Sequence, residues 1–157
     1  MKLKRVVVNN RKAQIELTTH SGKMFPLPFT RMDPPPRPTD RIVRAYVDKE
    51  LAREAVTYVL QSGAEGAVPI DQALEYNRDP RFLADLMIHD LTAEALTRAK
   101  HSGLSRREIA RRLRTSVPQL YRLLDTTNTR KDLGQLVALL HLFDCSVELV
   151  IHPRRAA

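Results

Sequence analysis

The sequence predicts an α+β chain: a small N-terminal antiparallel β region, then a mainly α-helical C-terminal bundle with a short terminal strand. Three observations predict it. The first thirty residues alternate apolar and polar side chains and are rich in β-branched residues. From Asn77 onward, apolar residues recur at helical spacing. Near the end, Cys145-Ser146-Val147-Glu148-Leu149-Val150-Ile151 reads as a strand. The expected division is 1–78, β-rich, and 79–157, helical.

In order, Lys4-Arg5-Val6-Val7-Val8 forms a strand that stops at Asn9-Asn10, a favourable turn pair. Ala13-Gln14-Ile15-Glu16-Leu17-Thr18 returns as a second strand. Met24-Phe25-Pro26-Leu27-Pro28-Phe29 makes a third, which its prolines confine to a sheet edge. Asp33-Pro34-Pro35-Pro36-Arg37-Pro38 is a stiff connector. Beyond Thr39-Asp40, the four-residue spacing of Val43, Val47, Leu51 and Ala55 predicts a helix. Either that helix runs to Gln61, or it ends near Arg53 and Ala55–Leu60 pairs with Ala67–Ile70 around a glycine-containing turn. The turn residues favour the hairpin. No internal repeat is apparent.

Asp79-Pro80 supplies an N-cap and a first-turn proline for a long helix ending at Ser102-Gly103. Phe82, Leu83, Leu86, Met87, Leu91, Ala95 and Leu96 form its expected apolar stripe. Leu104–Leu124 then reads as two short helices, capped by Ser105 and Ser116, around a tight turn. Ile109, Leu113, Val117, Leu120 and Leu124 are spaced to share a core, with small Ala110 allowing close crossing. A further helix is expected from about Arg130 to Phe143.

Charge is unevenly placed. The net charge of +8 resolves into +5 for residues 1–40 (8 basic, 3 acidic), −3 for 41–90 (6 and 9) and +6 for 91–157 (12 and 6). A basic C-terminal block suggests an anionic partner for that region. An apolar content of 43% supports a packed core. No apolar run approaches the roughly 18 residues a membrane helix needs. The N-terminus lacks the apolar stretch of a signal peptide, so the cytoplasm is the default location.

Residues 90–152 resemble the lambda-repressor-like (XRE-type) helix-turn-helix family, in its antitoxin and regulator branch. The resemblance rests on Leu104-Ser105, Glu108-Ile109-Ala110, Leu113, Val117 and Leu120. Arg114 departs from it, standing where the family usually has glycine; a left-handed arginine costs about 1 kcal/mol. The resemblance implies a sequence-specific DNA-binding transcriptional regulator that places residues 116–124 in the major groove of double-stranded DNA as a homodimer. Gln119, Arg122, Tyr121 and Pro118 would then face bases. Arg106, Arg107, Arg111, Arg114, Thr115, Ser116, Arg130 and Lys131 would face phosphates. Arg112 is the expected bystander, paired with Glu108. A second reading is an antitoxin or protein-interaction module whose N-terminal half binds a toxin-like protein.

Other chemistry is poorly supported. The histidines His20, His89, His101, His141 and His152 lack ligand spacing, so no metal or other cofactor is expected. Cys145 adjoins an apolar stretch and reads as a small hydrophobe. With no glycine-rich phosphate loop and no acid/base pair, the sequence points away from an enzyme.

Overall fold

The computed structural model describes residues 1–153, and the chain divides into two compact units, Met1–Leu83 and Ala84–Ala157. In the first, β1 (Leu3–Asn9), β2 (Gln14–Thr19) and β3 (Met24–Pro28) form one antiparallel sheet in the order β1-β2-β3. A 3-10 turn, Phe29–Arg31, follows. A second antiparallel sheet, β4-β5-β6, is built from β4 (Ile42–Val47), β5 (Ala55–Leu60) and β6 (Glu65–Pro69), and leads into α1 (Ile70–Tyr76).

The expected fold class is corrected in three places. The N-terminal half holds two sheets rather than one small β region. The helix expected after Asp40 is strand β4; four-residue spacing is also a multiple of the strand period of two, so it does not discriminate. The alternative hairpin over Ala55–Leu60 is realised as β5 and β6. Finally, Cys145–Ile151 forms no strand, and the helices stand without the expected strand-closed helix-turn-helix bundle.

An internal repeat does exist, visible in the backbone. Gly22 and Gly63 share a positive φ of 85° and 89°. Thr19 N–H donates to Lys23 O, and Leu60 N–H to Ala64 O; Phe29 N–H donates to Ala13 O, and Ile70 N–H to Glu54 O. Pro28 and Pro69 precede their helical turns at φ −64°, ψ 147° and φ −62°, ψ 144°. Each sheet has a register shift near its start, at Leu3/Arg5 and at Ile42/Arg44. The buried positions also correspond: Ile15, Leu17 and Leu27 match Val56, Tyr58 and Val68. Both repeats feed one apolar core.

The second unit contains most of α2 (Pro80–His101), then α3 (Arg106–Arg112), α4 (Val117–Leu124) and α5 (Leu133–Leu142). Asp79 accepts from Phe82 N–H at 3.0 Å, as an N-cap should. Only Thr92, Ala95 and Ala99 of α2 are buried, so the expected apolar stripe is covered in its C-terminal half, while Leu86 and Met87 stay exposed. Ala95, Ala99, Ile109, Ala110, Leu120, Leu123 and Leu136 belong to the core of this unit.

Candidate nucleic-acid interface

The interface candidate begins with two serine caps. Ser105 Oγ accepts from Glu108 N–H at 3.1 Å and starts α3. Ser116 Oγ accepts from Gln119 N–H at 3.3 Å and starts α4, with Pro118 in its first turn. Each cap satisfies one of the amide donors that a helix start leaves unpaired. Between them α3 ends in a left-handed turn: Arg114 has φ 57°, Arg114 N–H donates to Arg111 O, and Thr115 N–H donates to Ala110 O. This is the Schellman arrangement, with arginine where glycine would be unstrained. The departure at Arg114 therefore leaves the left-handed geometry of the turn in place.

On α4, Leu120, Leu123 and Leu124 are buried, whereas Pro118, Gln119, Tyr121 and Arg122 are exposed. The three- and four-residue spacings of those exposed positions gather them on one helix face. Arg114, Thr115 and Gln119 line a cleft of about 270 Å³ together with Gly134 and Gln135 at the start of α5. Gly134 and Gln135 were not singled out from the sequence. The signal available was Asp132, which accepts from Gln135 N–H at 2.9 Å and so sets where α5 begins.

The basic residues divide by what already holds them. Arg106, Arg107, Arg114, Arg122 and Arg130 form no ion pair or side-chain hydrogen bond with the described residues. Arg111 is engaged: its Nε and Nη2 donate to Glu108 at 3.0 and 2.7 Å, and Arg112 Nε donates to the same carboxylate at 2.9 Å. These two guanidinium groups hold the Glu108 carboxyl down at a pKa of about 2. Arg112 is thus a partner of Glu108, but shares it with Arg111.

Lys131, expected among the phosphate-facing residues, is engaged within the protein. Its ammonium donates to Leu123 O at 2.8 Å, to Thr92 Oγ1 at 3.0 Å and to Asp125 O. An ammonium has three donors, and all three are used within the protein. Partial burial lowers its pKa, with the nearby Asp125 charge opposing that shift. Lys131 is a tie across the end of α4, where cations favour the free carbonyls. Ser116 likewise uses its hydroxyl as a cap, whereas Thr115 is half-buried beside the cleft.

Among the described residues no cluster of His, Cys, Asp or Glu has metal-holding geometry, and no helix is long and apolar enough to cross a membrane. No family model, curated protein or solved structure matches this chain. The resemblance to lambda-repressor-like regulators therefore rests on the residues of the motif.

Proposed function

We propose that this chain is a sequence-specific DNA-binding transcriptional regulator that presents α4 to the major groove. The observation that carries the reading is the exposed α4 face of Pro118, Gln119, Tyr121 and Arg122, with Arg106, Arg107, Arg114, Arg122 and Arg130 forming no ion pair among the described residues. Gln119 can pair bidentately with adenine and Arg122 with guanine. Arg106, Arg107, Arg114 and Arg130 supply phosphate contacts, which position the protein without reading sequence. Glu108 neutralises part of the Arg111 and Arg112 charge, so those two contribute less.

The reading includes a homodimer, because one short helix reads too few bases for useful specificity. Two copies place their α4 helices about 34–36 Å apart, one DNA turn. Exposed apolar side chains support this: Leu149, Val150 and Ile151 are 80%, 67% and 79% exposed. Covering them against a second copy removes apolar area from water.

The test is fluorescence anisotropy with a duplex from the region upstream of the coding sequence and a scrambled duplex, over about 50–200 mM salt. The expected result is preference for the upstream duplex, with affinity falling steeply as salt rises. Absence of binding to either duplex at the lowest salt would overturn the proposal. Gln119→Ala and Arg122→Ala should each reduce discrimination by about 1–3 kcal/mol. Equal loss on both duplexes would remove base reading from those residues.

A further inference from the structure

The first unit contains a second basic site. The β1–β2 turn, the 3-10 turn after β3 and the proline-rich connector enclose a cleft of about 350 Å³, within the size range of small-molecule sites. Arg11, Arg37 and Arg41 line it, and its lining includes no carboxylate. Arg11 and Arg37 have no ion pair among the described residues, and Arg41 Nε donates only to Pro38 O, at 3.2 Å. Asp40, beside Arg41 in sequence but absent from the lining, is hydrogen-bonded to Ser62: Oδ1 accepts from its backbone N–H and Oδ2 from its hydroxyl, each at 2.8 Å. Three cations around one hollow repel each other, and an anion placed there relieves the repulsion.

The opposite character of the rest of the wall narrows the ligand. Ala13, Phe29, Pro36 and Pro38 make much of the surface apolar, with Pro36 buried. The walls are also fixed before a ligand arrives. Phe29 N–H donates to Ala13 O at 2.8 Å, and Arg37 and Asp40 exchange backbone hydrogen bonds of 3.0 and 2.9 Å. Prolines on either side of Arg37 restrict the connector further. Fixed walls reduce the ordering cost of binding. We infer that this cleft binds a small phosphomonoester with an apolar body, its phosphate on Arg11, Arg37 and Arg41 and its body against Phe29 and Pro36. Guanidinium forks match phosphate oxygens in geometry as well as charge. This inference is independent of DNA binding.

Phenyl phosphate is a suitable probe, with inorganic phosphate and phenol testing the two halves of the ligand separately. Calorimetric titration of the full chain should show saturable 1:1 binding of phenyl phosphate, tighter than that of either control. Arg11→Gln and Arg37→Gln alter exposed side chains and should each weaken binding about tenfold, the loss of one charge-assisted contact. Arg31→Gln, at a different cleft shared with Tyr76 and Arg78, should leave it unchanged. No saturable binding, resistance to both substitutions, equal loss in Arg31→Gln, or phenyl phosphate binding no tighter than inorganic phosphate would each overturn the inference.

Discussion

Arg114 joins backbone strain to a proposed phosphate contact. At φ 57° its Cβ crowds the following carbonyl, a cost that glycine avoids. Arg114→Gly should stabilise the chain by about 0.5–1 kcal/mol in urea unfolding, and weaken DNA binding on both duplexes by removing a phosphate contact. Arg78→Gly, at the equivalent left-handed end of α1, should stabilise similarly with DNA affinity unchanged. Glu108 acts through pH. Its folded-state pKa lies near 2, below the ordinary 4.5, so its contribution is complete above pH 4.5 and is lost as pH falls through about 2. The stability gap between the wild type and Glu108→Gln should therefore be constant above pH 4.5 and close towards pH 2, read from urea midpoints. Gly66 is constrained by space: a Cβ there would overlap the Tyr58 hydroxyl, which donates to Pro34 O at 2.7 Å. Gly66→Ala should cost about 1–3 kcal/mol by overpacking, measured by the same unfolding assay. Burial, with the Asp33 charge adding to it, pushes the Tyr58 pKa up to about 12, so the hydroxyl keeps its proton and its bond to Pro34.

At the scale of elements, the end of α4 depends on Lys131, a residue distant from Thr92 and Leu123 in sequence. Lys131→Met removes three hydrogen bonds and leaves buried Thr92 with its bond to Ile88 O alone. A loss of about 2 kcal/mol is expected in thermal or urea unfolding. Sequence spacing could not reveal that tie, because only packing of α2 near the α4–α5 loop brings the atoms together. The starts of α3 and α4 were legible, since a serine cap acts within three residues of itself. β4 was not: Val43 is exposed, whereas Ile42, Ala45 and Val47 pack against the core, because the register shift breaks the regular alternation. The repeat is hidden in the sequence for a related reason. Leu17 faces Phe25 in the first sheet, whereas Tyr58 faces Gly66 in the second, a large–large pair against a large–none pair filling comparable positions. Similar backbone hydrogen bonding and burial accommodate side chains that share little identity.

At the scale of the whole molecule, charge and association govern the predicted behaviour. Each phosphate neutralised steepens the salt dependence by a slope of about 0.9, so Arg107→Ala should flatten it by roughly that amount while preserving preference for the upstream duplex. Leu149→Asp should shift sedimentation towards monomer without altering the circular dichroism, because Leu149 is largely exposed in the single chain. The sequence pattern changes near Asp79-Pro80, whereas the first compact unit ends at Leu83. Local chemistry in the chain was enough to establish the caps, the helical core spacing and the glycine turns, because each depends on neighbours within a turn or two, and composition alone gave the basic character of the C-terminal block. Long-range packing settled β4 against a helix, the duplication of the sheets, the internal engagement of Lys131 and the meeting of Arg11, Arg37 and Arg41. Those outcomes depend on which distant surfaces exclude water together, and on which charges find partners when they do.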